Sequence, residues 1–351
     1  MKRVGILGLP RSGKTTVLEI LMQGAGSGAP GGAARDHVGV VRVPDERVDR
    51  LSALYQPKKT TYAQIQFVDS AAAGHTSARA AAKGPDLFSG VRTSDALLLV
   101  VRDFENPAVP IEGGVDPARD LRNLQAELIL NDLAIVETRI ERIGKELRVG
   151  KKQGEREHAV LERLRGLLEA ERPLREEAFD AEEQKLLRGF QVLSLKPLLV
   201  VYNQDERSTR VPPEPGAQAL ALVLRAHLER EIVALPPEER PAFRAELGLA
   251  EDGLSLLIRA CYRLLGLVSF FTVGPDEVRA WTLRQGENAV DAAGEIHTDL
   301  AHGFIRAEVV ACDRLLEAGS EAKARERAWL RLEGRDYQVQ DGDCLEIRFN
   351  K

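Results

Sequence analysis

Residues 4–16 read Val4-Gly-Ile-Leu-Gly8-Leu-Pro10-Arg11-Ser12-Gly13-Lys14-Thr15-Thr16, and this stretch decides the fold. A short apolar run is stopped by Gly8, Pro10 and Gly13 and passes into helix-like sequence from Lys14 to Met22. The order is strand, glycine-rich turn, helix. Gly8 to Thr15 matches G-x-x-x-x-G-K-[S/T] in full. In that pattern the glycines let backbone N–H groups curl around phosphate oxygens. Lys14 then neutralises β- and γ-phosphate charge, and the Thr15 hydroxyl ligates Mg²⁺. The helix opening at Lys14 adds the positive end of its dipole. Gly8 and the run from Pro10 to Thr16 are therefore the expected phosphate-side contacts.

Working outward, strand-like runs follow at 38–43, 64–69, 95–103, 197–203 and 219–224. Several are nearly continuous Leu, Val and Ile, the pattern of parallel strands covered by helices on both faces. Gln64-Ile-Gln-Phe-Val-Asp69 ends in a carboxylate, the acidic partner that a phosphate loop needs for its metal, so Asp69 is the second metal-side residue. Leu198-Leu-Val-Val-Tyr-Asn203-Gln204-Asp-Glu206 ends another buried strand in N-Q-D-E, where a guanine-reading N-K-x-D would lie. The Asn203 amide can pair with a purine edge and fix the loop. A carboxylate at Glu206 can accept guanine N1–H and N2–H₂ or the adenine N6 amine. Gln204 removes the lysine that stacks on the base, so strict guanine choice is not expected.

From 117 to 183 the sequence changes to Glu, Arg, Leu and Lys at helical spacing. Val136, Ile140, Ile143 and Leu147 step by four, three and four, and Val160 (or Leu161), Leu164 and Leu168 repeat the step after a glycine break at 150–154. This predicts an antiparallel helical hairpin with its tip near 148–155, inserted into the α/β domain. From about Val273 onward, short strand-like pieces at 278–283, 304–310, 337–339 and 344–349 predict a small α+β module. The expected division is a phosphate-loop domain over 1–116 and 188–275, a hairpin over 117–187, and a C-terminal module over 276–351.

The chain has 351 residues with 49 Lys+Arg against 54 Asp+Glu, a net charge of −5 that disfavours bulk polyanion or DNA binding. Three scattered cysteines form neither a disulfide framework nor a metal motif, and the six histidines form no ligand pair. No stretch approaches the roughly 20 apolar residues of a membrane span, and the first residues lack the apolar run of a signal peptide. A cytoplasmic protein is expected. His297 and His302 read as structural, Trp281 and Phe304 as core, and Cys261 as a small buried hydrophobe.

With these residues placed, the sequence resembles the YchF family of Obg-related P-loop NTPases. The resemblance covers essentially the whole chain. It is strongest in Glu277-Val-Arg-Ala-Trp-Thr282, Ile296-His-Thr-Asp299, Gly303-Phe-Ile-Arg-Ala-Glu308 and Gly334-Arg-Asp-Tyr-Gln-Val-Gln-Asp-Gly-Asp343. It implies a G domain interrupted by a coiled-coil hairpin and followed by a TGS domain, a ubiquitin-like β-grasp module. It also implies a cytosolic, Mg²⁺-dependent ATPase or GTPase of low intrinsic rate that associates with the ribosome or its RNA, often with ATP preferred. The family's functional residues map onto Gly8, Gly13, Lys14, Thr15, Asp69, Asn203 and Glu206, and its N-x-x-E pattern agrees with N-Q-D-E here.

The chain departs from the family in three places. Arg11 and Ser12 replace the Asn and Val of GLPNVGKS. Ala72 stands where a glycine N–H would meet the γ-phosphate, and a Cβ there restricts the backbone. The first switch, Gly31–Asp36, offers no Thr or Ser, and no Gln stands in place to orient water. Hydrolysis is expected to be slow or partner-dependent, and a nucleotide-gated non-catalytic adaptor is the alternative. Residues 276–351 carry 11 Lys+Arg and 16 Asp+Glu, a local charge of −5, which disfavours indiscriminate backbone binding. Lys145, Arg148, Lys151, Lys152 and Arg156 cluster near the hairpin tip. A third reading makes this tip and the C-terminal module a ribosome- or RNA-docking scaffold.

Overall fold

In the computed structural model the described residues are 1–24, 38–69, 88–148, 154–249 and 251–350. Ala72, the Gly31–Asp36 switch, Lys151 and Lys152 lie outside them. The chain opens with β1 (Lys2–Gly8), α1 (Lys14–Gly24), β2 (Val38–Arg42), α2 (Glu46–Tyr55), β3 (Lys59–Thr61), β4 (Gln64–Asp69) and β5 (Ala96–Asp103). Then come α3 (Pro117–Arg148), α4 (Glu155–Glu169), α5 (Ala181–Arg188), β6 (Leu198–Gln204), β7 (Ala219–Leu224), α6 (Ala226–Ala234), α7 (Arg240–Glu246) and α8 (Gly253–Leu264). The remainder is β8 (Leu267–Thr272), β9 (Glu277–Arg284), α9 (Ala289–Ile296), α10 (Thr298–His302), β10 (Phe304–Ala311), α11 (Cys312–Ala318), α12 (Glu321–Glu326), β11 (Arg331–Glu333) and β12 (Asp343–Phe349).

These strands form two six-stranded sheets, one ordered β2-β4-β1-β5-β6-β7 and the other β11-β10-β12-β8-β9-β3. In the first, β1, β5, β6 and β7 run parallel, with Gly8 opposite Val100, Asp103 opposite Gln204 and Asn203 opposite Leu224. Every residue of β5 and β6 is buried, which is why both read as unbroken apolar runs rather than alternating ones. β7 differs from that reading. It is the last strand in the sheet order, and Leu220 and Val223 remain exposed on it.

The chain divides into two compact units, one of residues 2–39 and 66–254, the other of residue 1, 40–65 and 255–351. In the first, Leu121, Leu124 and Leu128 of α3 pack on Leu97, Leu99, Leu198, Val200 and Tyr202 of the sheet. Farther along α3, Val136 and Ile143 join Val160, Leu161, Leu164 and Leu168 of α4 in a separate cluster, with Leu187 of α5. Polar groups also enter this interior. Asp132 of α3 is fully buried and accepts the backbone N–H groups of Leu193 (2.8 Å) and Ser194 (2.6 Å). Arg156, at the start of α4, is ion-paired with Asp180 and Glu182.

In the second unit, Ala289, Ala292 and Ala293 of α9 pack on Phe270, Leu283, Phe304 and Leu345. Phe304 is buried as expected. Trp281 is half-buried, its indole N–H donating to Thr272 Oγ1 at 2.9 Å. His297 caps α10, its Nδ1 accepting the Asp299 N–H, and Cys261 is fully buried. The segment 337–339 contributes only a single bridge, Gln338 to Asn288, rather than a strand. Residues 40–65 belong to this unit. β3 pairs parallel with β9, Lys59 opposite Glu277 and Thr61 opposite Arg279. Arg47 of α2 sits between Asp45 and Asp341, 2.8 Å from each, while its guanidinium covers the Phe271 ring.

Candidate functional site

The phosphate loop is the five-residue bend between β1 and α1. Its shape rests on two glycines that the surroundings require. A Cβ added at Gly8 would stand 2.6 Å from Ser12 Oγ and 2.7 Å from the Val100 carbonyl, so only glycine lets β1 end this close to β5. Gly13 has φ +92°, and a Cβ there would stand 2.1 Å from Asn203 Nδ2. Between them Arg11 takes a left-handed φ of 65°. Its side chain is exposed and donates to the Pro110 carbonyl. Ser12 is buried, and its N–H closes the turn onto Leu9 O at 3.2 Å. Pro10 is exposed; Thr15 is exposed and Thr16 half-buried on the first turn of α1.

Lys14 and Asp69 come together across this loop. Lys14 Nζ lies 2.7 Å from Asp69 Oδ1, with the aspartate side chain almost fully buried. Asp69 is the last residue of β4, so its carboxylate is delivered by the carboxyl end of a strand, where ligand sites in such sheets collect. The donors available there, the Asp69 carboxylate and the Thr15 hydroxyl, are hard oxygens, a set that suits Mg²⁺. That chemistry fits the ion expected from the sequence.

Asn203 joins the two expected halves of the site. Its Nδ2 donates to Ser12 O (3.1 Å), and its Oδ1 accepts the N–H of Ala226 at the head of α6 (3.1 Å). The side chain therefore pins the phosphate loop to the end of β6 and leaves a single amide N–H for any base. Gln204 also turns its side chain inward, donating to Asp103 Oδ2 (2.7 Å) and to Arg210 O (2.8 Å). Glu206 stays exposed, its carboxylate 3.8 Å from His227 Nδ1.

Gly13, Thr16, Asn203, Gln204 and Glu206 line one cavity of about 620 Å³. That volume falls within the roughly 300–1,000 Å³ of small-molecule sites. Phe104, Glu105 and Asn106, which follow the end of β5, line the same cavity. Phe104 is backed by the buried Arg102. Its guanidinium lies 4.4 Å from the ring centre and donates to the carbonyls of Phe104 and Val109, both at 3.0 Å. The sequence reading missed Phe104, Arg102 and His227. The first two were findable, because they stand at the carboxyl end of a fully buried parallel strand, where binding loops are expected.

A family model described as YchF-GTPase_C, protein of unknown function (DUF933), matches residues 267–350. The chain is 39% identical over 360 residues to the ribosome-binding ATPase YchF of Bacillus subtilis, covering 99% of this chain and 98% of that one. It is 37% identical to the protein of the same name from Escherichia coli O157:H7, with 99% of both chains covered. Among solved structures, that of the Schizosaccharomyces pombe YchF GTPase superposes with a TM-score of 0.84 at 27% identity, over 99% of this chain and 97% of that one.

Proposed function

The chain belongs to the YchF family, and we propose that it is a cytoplasmic, ribosome-associated P-loop NTPase that hydrolyses a purine nucleoside triphosphate to the diphosphate and phosphate. The observation that carries this reading is the bond from Asn203 to Ser12 O, which joins a phosphate loop and a base loop into one cavity. Ribosome association is supported by the printed name of the bacterial relatives.

In this reading Lys14 and the loop N–H groups hold the β- and γ-phosphates, and Thr15 and Asp69 (through water) hold Mg²⁺. Magnesium held there would supply positive charge against the negative charge that develops on the phosphates. The base lies between Phe104 and the 203–206 segment, with Glu206 accepting from its amino edge. Asn203 acts mainly as a tie between loops. Because one relative is named an ATPase and another a GTPase, the purine is decided by experiment. We read α3 and α4 as the inserted coiled-coil hairpin of 117–187 and residues 276–351 as the TGS-type β-grasp module, consistent with the family match over 267–350.

Calorimetric titration of ATP and GTP with and without Mg²⁺, and phosphate release by wild type and Lys14→Ala, test the proposal. Metal-dependent binding of one purine and turnover that vanishes with Lys14 are expected. Binding without any Lys14-dependent turnover would leave a nucleotide-gated adaptor, and no binding of either nucleotide would end the reading. Co-sedimentation with ribosomes tests the association.

A further inference from the structure

Asp103 is the last residue of β5 and almost wholly buried, yet it lies outside the phosphate and metal machinery. It stands opposite Gln204 in the parallel register. Three interactions close a ring around it. Gln204 Nε2 donates to Asp103 Oδ2 (2.7 Å) and to the carbonyl of Arg210 (2.8 Å). Arg210 Nη1 returns to Asp103 Oδ1 at 2.6 Å. The segment caught inside the ring, 205–209, carries Asp205, Glu206 and Arg207 along the cavity wall. Beyond the ring the same loop is tied twice more. The Tyr202 hydroxyl donates to Pro213 O (2.7 Å) and Gln125 Nε2 to Pro215 O (2.9 Å).

A loop of this length without such ties samples many conformations, and ordering it at the moment of binding would reduce affinity. The ring removes that cost in advance, and it does so from below the pocket, through the one buried carboxylate that β5 and β6 share. The loop leaving Asp103 also lines the cavity, beginning at Phe104. A single side chain thus sits at the root of both lining segments. A buried carboxylate needs a paired cation, and Arg210, half exposed, supplies it.

We propose that Asp103 is a positioning residue for the nucleobase, holding the 205–210 loop through Gln204 and Arg210 so that Glu206 stands at a fixed place on the cavity wall. It does not touch the nucleotide, and the phosphate grip of Lys14 and Gly13 is independent of it. This inference rests on the nucleotide-binding reading above and deepens it.

The test compares wild type, Asp103→Asn and Arg210→Ala by titration with Mg²⁺ and ATP, GTP or inorganic tripolyphosphate, which has no base. For both variants we expect the preferred nucleotide to bind about tenfold more weakly, the ATP-to-GTP preference to shrink, and tripolyphosphate to bind within twofold of wild type. The double variant should lose little beyond either single one, since both break the same ring. Arg210 is half exposed, so Arg210→Ala decides the matter should Asp103→Asn fail to fold. Unchanged nucleotide affinity in a folded variant, or an equal loss for tripolyphosphate, overturns the proposal while leaving nucleotide binding intact. A wild-type protein that binds neither nucleotide overturns the underlying reading, and the positioning role with it.

Discussion

Lys14 Nζ and Asp69 Oδ1 are 2.7 Å apart, so the lysine meant for phosphate and the carboxylate meant for the metal are partners of one another. A triphosphate with its cation offers each of them a replacement of the right sign, and binding exchanges one pair of charges for two. Lys14→Ala should therefore weaken nucleotide binding about a hundredfold, the scale of roughly 2–3 kcal/mol lost with a charged hydrogen-bond donor. Asp69→Asn should act differently. It should keep metal-free binding and lose most of the gain that Mg²⁺ confers, which titration at zero and millimolar Mg²⁺ would reveal.

Gly13→Ala is expected to damage both loops at once. The backbone there has φ +92°, and the new methyl would sit 2.1 Å from Asn203 Nδ2. Strain of about 1–3 kcal/mol follows from the backbone alone, and Asn203 must release Ser12 O to make room. Urea unfolding should show the lower stability, and nucleotide binding should fall below detection.

The buried carboxylate of Asp132 makes a stability prediction well separated from the site. Burial pushes its carboxyl up, against the opposing pull of the Leu193 and Ser194 N–H groups and the nearby Arg92. Asp132→Ala strands those two backbone donors, at about 1–3 kcal/mol each before relaxation. A loss of about 2–4 kcal/mol in denaturant unfolding is expected, with nucleotide affinity unchanged in the folded protein.

A pH dependence follows from Glu277. The Thr61 hydroxyl (2.6 Å) is the main cause, with the Lys59 ammonium (3.1 Å) beside it, that holds this carboxyl below its ordinary range against partial burial. A carboxyl whose pKa is depressed by folding adds stability that is complete above the unfolded value and disappears as pH falls through the folded one. Glu277→Gln should thus be less stable than wild type at pH 7, by about 0.5 kcal/mol after allowing for solvent screening. The two curves should converge as pH falls through the depressed folded value, below the ordinary glutamate range. A gap that persists at pH 3 would show that the packing of Glu277, and not its charge, matters.

How much of this was legible beforehand depended on whether local sequence or distant neighbours decided the structure. The strand–turn–helix that opens the chain was readable because its apolar run, its glycines and its helix-forming residues follow one another within 4–22. The apolar spacing of Val136, Ile143, Leu161 and Leu164 marked the sides of α3 and α4 that pack together. What Asn203 and Gln204 do with their amides was not legible, since their partners Ser12, Ala226, Asp103 and Arg210 are supplied by other elements or by the following loop. Helix α2 is marked in the sequence by its Asp45 cap and by Glu46 and Asp49 in its first turn, and not by a continuous apolar run. The pairing of β3 with β9 spans more than 200 residues of sequence and left no trace in either strand.

That last pairing has a practical consequence for dissecting the molecule. Anyone who clones the carboxyl-terminal third alone, starting near 255, omits β3 and so strips a row of backbone partners from Glu277, Val278 and Arg279. It also deprives Asp341 of the Arg47 guanidinium. An unpaired margin of that kind recruits other strands, so such a fragment should precipitate or self-associate. Supplying 40–65 on the same polypeptide, through a designed linker, should keep it monomeric.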